Sequence, residues 1–233
     1  MKIMNRITNL AGIAALAFLW ILALASCQKD FEWDVPLAVT QKRLNLTSAT
    51  GSTHIQVYAT DNWTVRFAEA VEWASLSKLS GKKTGDFVFA YSGNYGVARD
   101  VQVVIDTEAG MTDTITIVQA GDITDPMLLI PSETLAVEAG QTEASTPLET
   151  NLKYDLGRIR TSVDYVGEGQ QDWVRSVTFD EQTLKVELLP NTQPEARSAE
   201  VALKLRIPAT SIDGEDRTLT AATVITQRGT NQK

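Results

Sequence analysis

The sequence predicts an all-β protein built as two tandem β-sandwiches behind an N-terminal export signal. Three observations carry this. Apolar residues recur at every second position in many short runs, turn chemistry separates those runs, and one set of landmarks appears twice in the same order along the 233 residues. Period-two alternation places one face of each run against a core and the other in water. Several such strands at short spacing, with no sustained helical period beyond the N-terminal segment, are the pattern of a sandwich.

The N-terminal segment reads as a lipoprotein signal peptide over residues 1–26. Lys2 and Arg6 supply a short basic region, and Leu10 to Ser26 form an unbroken run of apolar and small residues ending at Cys27, the single cysteine. As a helix rising about 1.5 Å per residue this run spans about 25 Å, short of the roughly 30 Å hydrocarbon core of a bilayer. With Leu24-Ala25-Ser26 ahead of the cysteine, cleavage before Cys27 and acylation of its thiol are expected; an uncleaved anchor helix is the alternative. Either outcome tethers the remainder to the outer membrane by a lipid anchor or holds it outside the inner membrane. Several acyl chains hold effectively permanently where one is marginal.

Residues 27–35 form the tether. Lys29 followed by Asp30, Glu32 and Asp34 resembles the signal that sends lipoproteins of Bacteroidetes-type bacteria to the outer face of the outer membrane. Surface exposure is expected, with a periplasm-facing orientation as the alternative. Trp33 reads as a linker residue or as a contact for headgroups or ligand. Losing Lys2 and Arg6 with the signal takes the formal charge from -8 to -10. An acidic chain of this kind argues against nucleic acid and against docking on anionic lipid. Acylation would also consume the lone cysteine, leaving no thiol for a disulfide, a thiolate metal site or a nucleophile.

The first sandwich is expected over residues 36–121. Ile55, Val57 and Ala59 alternate with His54, Gln56 and Tyr58, and further strands are read at Phe87 to Tyr91, Asp100 to Asp106 and Asp113 to Gln119. Ser80-Gly81, Thr84-Gly85, Ser92-Gly93-Asn94 and Glu108-Ala109-Gly110 supply the turns. Residues 122–126 have linker composition, and the pattern restarts over 127–229, with residues 230–233 as a polar tail. Leu44-Asn45-Leu46, Gly51, Trp73, Asn94, Arg99 and Val118-Gln119-Ala120-Gly121 recur as Leu135-Ala136-Val137, Gly140, Trp173, Asn191, Arg197 and Thr226-Gln227-Arg228-Gly229. Landmarks repeated in order mean two copies of one domain. In the second copy Leu184, Val186 and Leu188 alternate, as do Val201, Leu203, Leu205 and Ile207. Arg99 and Gln119 are 20 positions apart whereas Arg197 and Gln227 are 30 apart, a surplus assigned to the polar loop Pro208 to Asp216.

Asn62-Trp63, Glu72-Trp73 with Ser80-Gly81, Asn94 with Arg99, and Ile117-Val118-Gln119-Ala120-Gly121 together resemble the BACON domain, the Bacteroidetes-associated carbohydrate-binding, often N-terminal module. The resemblance covers about Pro36 to Gly121. The second region fits at Asp172-Trp173, Asn191, Arg197 and Ile225 to Gly229 but has no counterpart of Trp63, since Asn151 is followed by Leu152. The resemblance implies immunoglobulin-like sandwiches on surface proteins of glycan-foraging bacteria. It also implies a polysaccharide or a glycoprotein glycan as ligand.

The residues themselves point to no catalysis and no cofactor. His54 is the only histidine, with no neighbouring nucleophile motif, and one histidine without a thiol makes a poor zinc site. Asp213, Glu215 and Asp216 lack the alternating oxygen ligands of a calcium loop. Glycoside hydrolysis requires two carboxylates about a sugar bond, yet no hydrolase motif appears. Sugar binding requires flat aromatic faces with polar neighbours. The candidates are Trp73, Tyr91 and Tyr95, the tyrosines flanking the Ser92-Gly93-Asn94 turn. Each has a structural alternative: core packing for Trp63, Trp73 and Trp173, a core cap for Tyr91, and a left-handed turn position for Asn94. Arg99 and Arg197 read as loop holders, with a grip on ligand as the alternative. Arg158, Arg160 and Asp164 beside Tyr165 read as a binding face or a charge-protected edge strand. Two roles remain open, a glycan-binding accessory protein and a spacer or interaction module for an outer-membrane protein partner. Replacing Cys27 with alanine should leave an unacylated precursor in a palmitate-labelling assay; normal labelling of C27A would refute the anchor.

Overall fold

The structure, a computed structural model, describes residues 36–167 and 171–231. Cys27, Trp33 and all of residues 1–35 lie outside the described residues. From Pro36 onward the chain forms one compact unit.

Nine strands build the first sandwich: β1 (Leu37–Val39), β2 (Arg43–Leu46), β3 (Gly51–Ala59), β4 (Asn62–Phe67), β5 (Ala74–Leu76), β6 (Ser80–Lys82), β7 (Gly85–Tyr91), β8 (Arg99–Thr107) and β9 (Thr112–Gln119). One sheet runs β1-β3-β7-β5 and the other β2-β9-β8-β4-β6. With β2 parallel to β9 and the other pairs antiparallel, this is the strand order of an immunoglobulin-type sandwich. Alternation explains the layers. Ile55 and Val57 from β3 and Phe87 and Phe89 from β7 meet Val65, Val103, Ile105, Ile115 and Ile117 from the opposite sheet. Each such side chain taken fully out of water contributes about 1.5–3 kcal/mol.

The second sandwich comprises β10 (Leu128–Leu129), β11 (Thr134–Val137), β12 (Glu143–Pro147), β13 (Glu149–Thr150), β14 (Arg160–Val166), β15 (Val174–Phe179), β16 (Thr183–Leu188), β17 (Arg197–Ile207) and β18 (Arg217–Gln227). Its sheets run β12-β16-β15 and β11-β18-β17-β14, with β10 paired to β13. A short 3-10 turn, Leu156–Arg158, precedes β14.

Register makes the duplication quantitative. Arg99 lies opposite Gln119 and Gln119 opposite Leu46; Arg197 lies opposite Gln227 and Gln227 opposite Val137. Counting along the ladders from these arginines, Phe67 corresponds to Val163 and Val65 to Thr161. The position of Trp63 then falls on Ile159, one residue before β14 begins, and Ile159 is likewise buried. An aliphatic side chain therefore fills the place of the tryptophan. The spacing surplus is only partly in the loop: Pro208 to Asp216 is nine residues against four for Glu108 to Met111, while β17 and β18 are each longer than β8 and β9. Arg158 belongs to the 3-10 turn, not to a strand, because the ladder starts at Arg160. β14 is an edge strand with exposed Arg160 and Asp164, as charge on an exposed edge requires.

Inside the second core, Thr223 is 1% exposed and its hydroxyl has no hydrogen-bond partner among the described residues. Leaving a buried hydroxyl unpaired costs about 1–3 kcal/mol. The near-isosteric Thr223→Val change should therefore raise Tm by about 2–4 °C in thermal unfolding. A fall in Tm would show that the hydroxyl is in fact bonded.

Candidate functional site

Both sandwiches end in the same buried polar network. Gln119 and Gln227 are 0% exposed. The Gln119 amide donates to Ser92 O at 2.9 Å and Ser48 O at 3.3 Å, and its Oε1 accepts from Arg99 Nε at 3.0 Å. Gln227 likewise accepts from its arginine, Arg197 Nε at 3.0 Å, but places both its donors on the segment after β11, at Gln141 O at 2.9 Å and Ala139 O at 3.1 Å. Each guanidinium lies over a tryptophan, Arg99 4.4 Å from the Trp73 ring centroid and Arg197 4.6 Å from that of Trp173. The tryptophan carbonyls accept from Ser92 and Leu189, whose own carbonyls accept from the same arginines.

Asn94 and Asn191 complete the set. Asn94 Nδ2 donates to Val97 O at 2.8 Å and Ala120 O at 3.1 Å; Asn191 Nδ2 donates to Glu195 O at 2.8 Å and Arg228 O at 2.9 Å. Asn94 is therefore a buried bridge, and its φ is not positive, so the left-handed turn role is not the one it plays. The glycines that follow the glutamines are required by close approach: a Cβ on Gly121 would sit 2.1 Å from Gly96 O, and one on Gly229 1.9 Å from Pro194 O. Loop holding, one of the roles read from sequence for Arg99 and Arg197, is thus what their bonds do.

The joint between the sandwiches grows out of the first of these loops. Val97 and Ala98 pack into the core of the second sandwich with Leu128, Leu152 and Ile159. Val97 N donates to Asp155 Oδ2 at 2.9 Å, and Arg158 Nη1 pairs with Asp155 Oδ1 at 2.6 Å while its Nη2 reaches Ala98 O at 2.9 Å. Gly96 has no side chain because a Cβ there would lie 2.2 Å from Asp155 Oδ2. Arg206 grips Asp100 bidentately at 2.9 and 3.0 Å and also pairs with Asp216. Those bonds, led by that to Asp100, hold its pKa above the ordinary arginine value.

Beside the joint lies an open cleft of about 820 Å³, lined from the first sandwich by Glu69, Glu72, Trp73, Tyr95 and Arg99 and from the second by Tyr154, Arg158 and Arg160. Tyr95 and Tyr154 are 64% and 60% exposed, and their ring centroids are 5.8 Å apart with planes tilted by 44°. Arg99, desolvated by burial and repelled by Arg158, has its pKa pulled down to about 10 and stays charged at neutral pH.

Of the residues singled out from sequence, Tyr95 stands in this cleft as an exposed face. Trp73 lines it but is half-buried, held edge-on to Phe89 at 6.0 Å and covered by Arg99. Tyr91 is half-buried against Phe89 at the end of β7, and is absent from the cleft lining. Trp63 and Trp173 are each 1% exposed and are core residues. His54 is exposed and pairs with Asp86, lowering the pKa of that carboxyl. Among the described residues no cluster of three or more His, Cys, Asp or Glu could hold a metal ion. Tyr154 was not legible: it sits in a turn outside any alternating run, and only docking brings it to Tyr95.

No protein-family model matches the chain, and no curated protein matches it. The resemblance to BACON modules therefore rests on the residues quoted above alone. Among solved structures the chain is similar to a Bacteroides ovatus GH5 xyloglucanase solved with a XXXG heptasaccharide, at 16% identity over 46% of this chain and 27% of that one, with TM-score 0.34. It is similar to a SusE-like surface located polysaccharide binding protein from the Bacteroides thetaiotaomicron heparin utilisation locus, at 12% identity over 83% and 34%, with TM-score 0.27. Human mucin-like protocadherin EC1-2 matches at 11% identity over 83% and 97%, with TM-score 0.31. The chain thus spans about a third or less of the first two, and at these scores the likeness assigns neither family nor function.

Gln227→Leu should destabilise the protein by about 3 kcal/mol in urea unfolding, because it leaves buried carbonyls and the Arg197 guanidinium short of a partner. A loss below about 0.5 kcal/mol, the range of an ordinary surface change, would show the network to be dispensable.

Proposed function

We propose that the chain is a non-catalytic, lipid-anchored surface protein that binds glycan in the cleft between its two sandwiches. The observation that carries this reading is the exposed pair Tyr95 and Tyr154. Aromatic faces cover the apolar C–H side of a sugar, and polar groups around them take its hydroxyls. The cleft supplies those groups in Glu69, Glu72 and Arg160.

A second reading has its own support. Trp63 and Trp173 are buried and Trp73 is half-covered, so no tryptophan in the described residues offers an open platform. The joint fixes the two bodies through Asp155, Arg158 and Arg206, as a spacer that holds an outer-membrane protein partner at a set distance would need.

Affinity electrophoresis of the full chain through gels containing mucin or plant polysaccharides separates the two. Glycan binding predicts retardation by at least one polysaccharide, relieved by Tyr95→Ala. Unretarded migration in all of them, together with co-purification of an outer-membrane protein, would establish the spacer.

A further inference from the structure

The two tyrosines come from different sandwiches. Tyr95 stands on the loop between β7 and β8, and Tyr154 on the turn that precedes Leu156–Arg158. Neither belongs to a hydrophobic core. One aromatic ring covers the face of one sugar. Two rings centred 5.8 Å apart, with planes 44° from each other, make a bent surface that spans more than a single sugar ring covers, and with the Lys153 ammonium 4.8 Å from the Tyr154 centroid it is the opposite face of that ring that would take the sugar. Successive units of a glycan chain, turned relative to one another, match such a surface. Glu69 and Glu72 on one side and Arg160 on the other are exposed, and among the described residues their side chains make no hydrogen bond or ion pair, so they can meet hydroxyl, ring-oxygen or carboxylate groups.

From this we infer that the cleft is a composite site for two successive units of a glycan chain, and that neither sandwich holds the ligand alone. The inference rests on the glycan-binding reading above and narrows it to oligosaccharide. Its geometry depends on the joint: Val97 N to Asp155 at 2.9 Å, Arg158 to Ala98 O at 2.9 Å, and the bare Gly96 against the Asp155 carboxylate set the distance between the rings. A side chain at position 96 displaces the Asp155 carboxylate, and with it the bonds that join the sandwiches, without replacing either tyrosine.

The test is isothermal titration of the full chain with xylo-, galacturono- and chondroitin oligosaccharides, each compared with its own monosaccharides. At least one oligosaccharide should bind, with its monosaccharides at least about tenfold weaker, the loss of one aromatic face. Tyr95→Ala and Tyr154→Ala should each weaken that binding by about tenfold. Gly96→Val should abolish it with the circular-dichroism signature of the strands intact. If G96V fails to fold, the two tyrosine variants, both at exposed positions, still decide the matter. Equal affinity for monosaccharide and oligosaccharide, or wild-type affinity in Y154A, overturns the composite site while leaving glycan binding in place. Absence of binding to every oligosaccharide overturns both.

Discussion

One buried glutamine at the end of the last strand governs each sandwich. A primary amide taken wholly out of water must place both its donors and its acceptor, or the fold loses the desolvation energy of each orphaned group. Gln119 does so by joining the stretch after β2, the loop before β8 and Arg99, and Gln227 by joining the stretch after β11 to Arg197. Apolar packing alone would tolerate several strand alignments of similar burial. A slip of two residues would keep the apolar faces inward but carry the glutamine away from its carbonyl partners, so the network specifies register as well as adding stability. Its members depend on one another, since the arginine lies on the tryptophan and bonds the loop that the asparagine closes.

The periodic part of this architecture was legible. Ile55 and Val57, Ile115 and Ile117, and Leu184 and Val186 announce strands because a half-buried strand has no other way to place its side chains. The repeated Trp, Asn, Arg and Gln-x-Gly landmarks were legible because the same network demands the same residues twice. The counterpart of Trp63 was not, since Ile159 shares its position only through register, and an aliphatic residue in an apolar stretch carries no mark of what it replaces. Arg158 was misplaced on a strand for a related reason, because a 3-10 turn of three residues is too short to break a pattern read at period two.

The candidate site was half legible. Tyr95 beside a Gly-Asn turn had the composition of a recognition loop, whereas Tyr154 lies 59 positions further on in a segment with no periodicity. Tertiary contacts between bodies leave little trace in local sequence. Gly96, small because Asp155 presses against it, is a trace of that kind, though without the structure it reads as one more turn glycine. Trp63 and Trp173 carried a strong aromatic signal and lie inside the cores, as large rings on sandwich strands generally do.

The placement of Val97 and Ala98 bears on how the protein responds to heat and denaturant. These two residues lie in the chain of the first sandwich but are buried with the core of the second, next to Leu152 and Ile159. If the first body melts, the second loses part of its own interior and exposes apolar surface. Their free energies of unfolding are therefore not independent quantities to be added. A substitution that loosens Val97 or Ala98 in the first sandwich is felt in the core of the second.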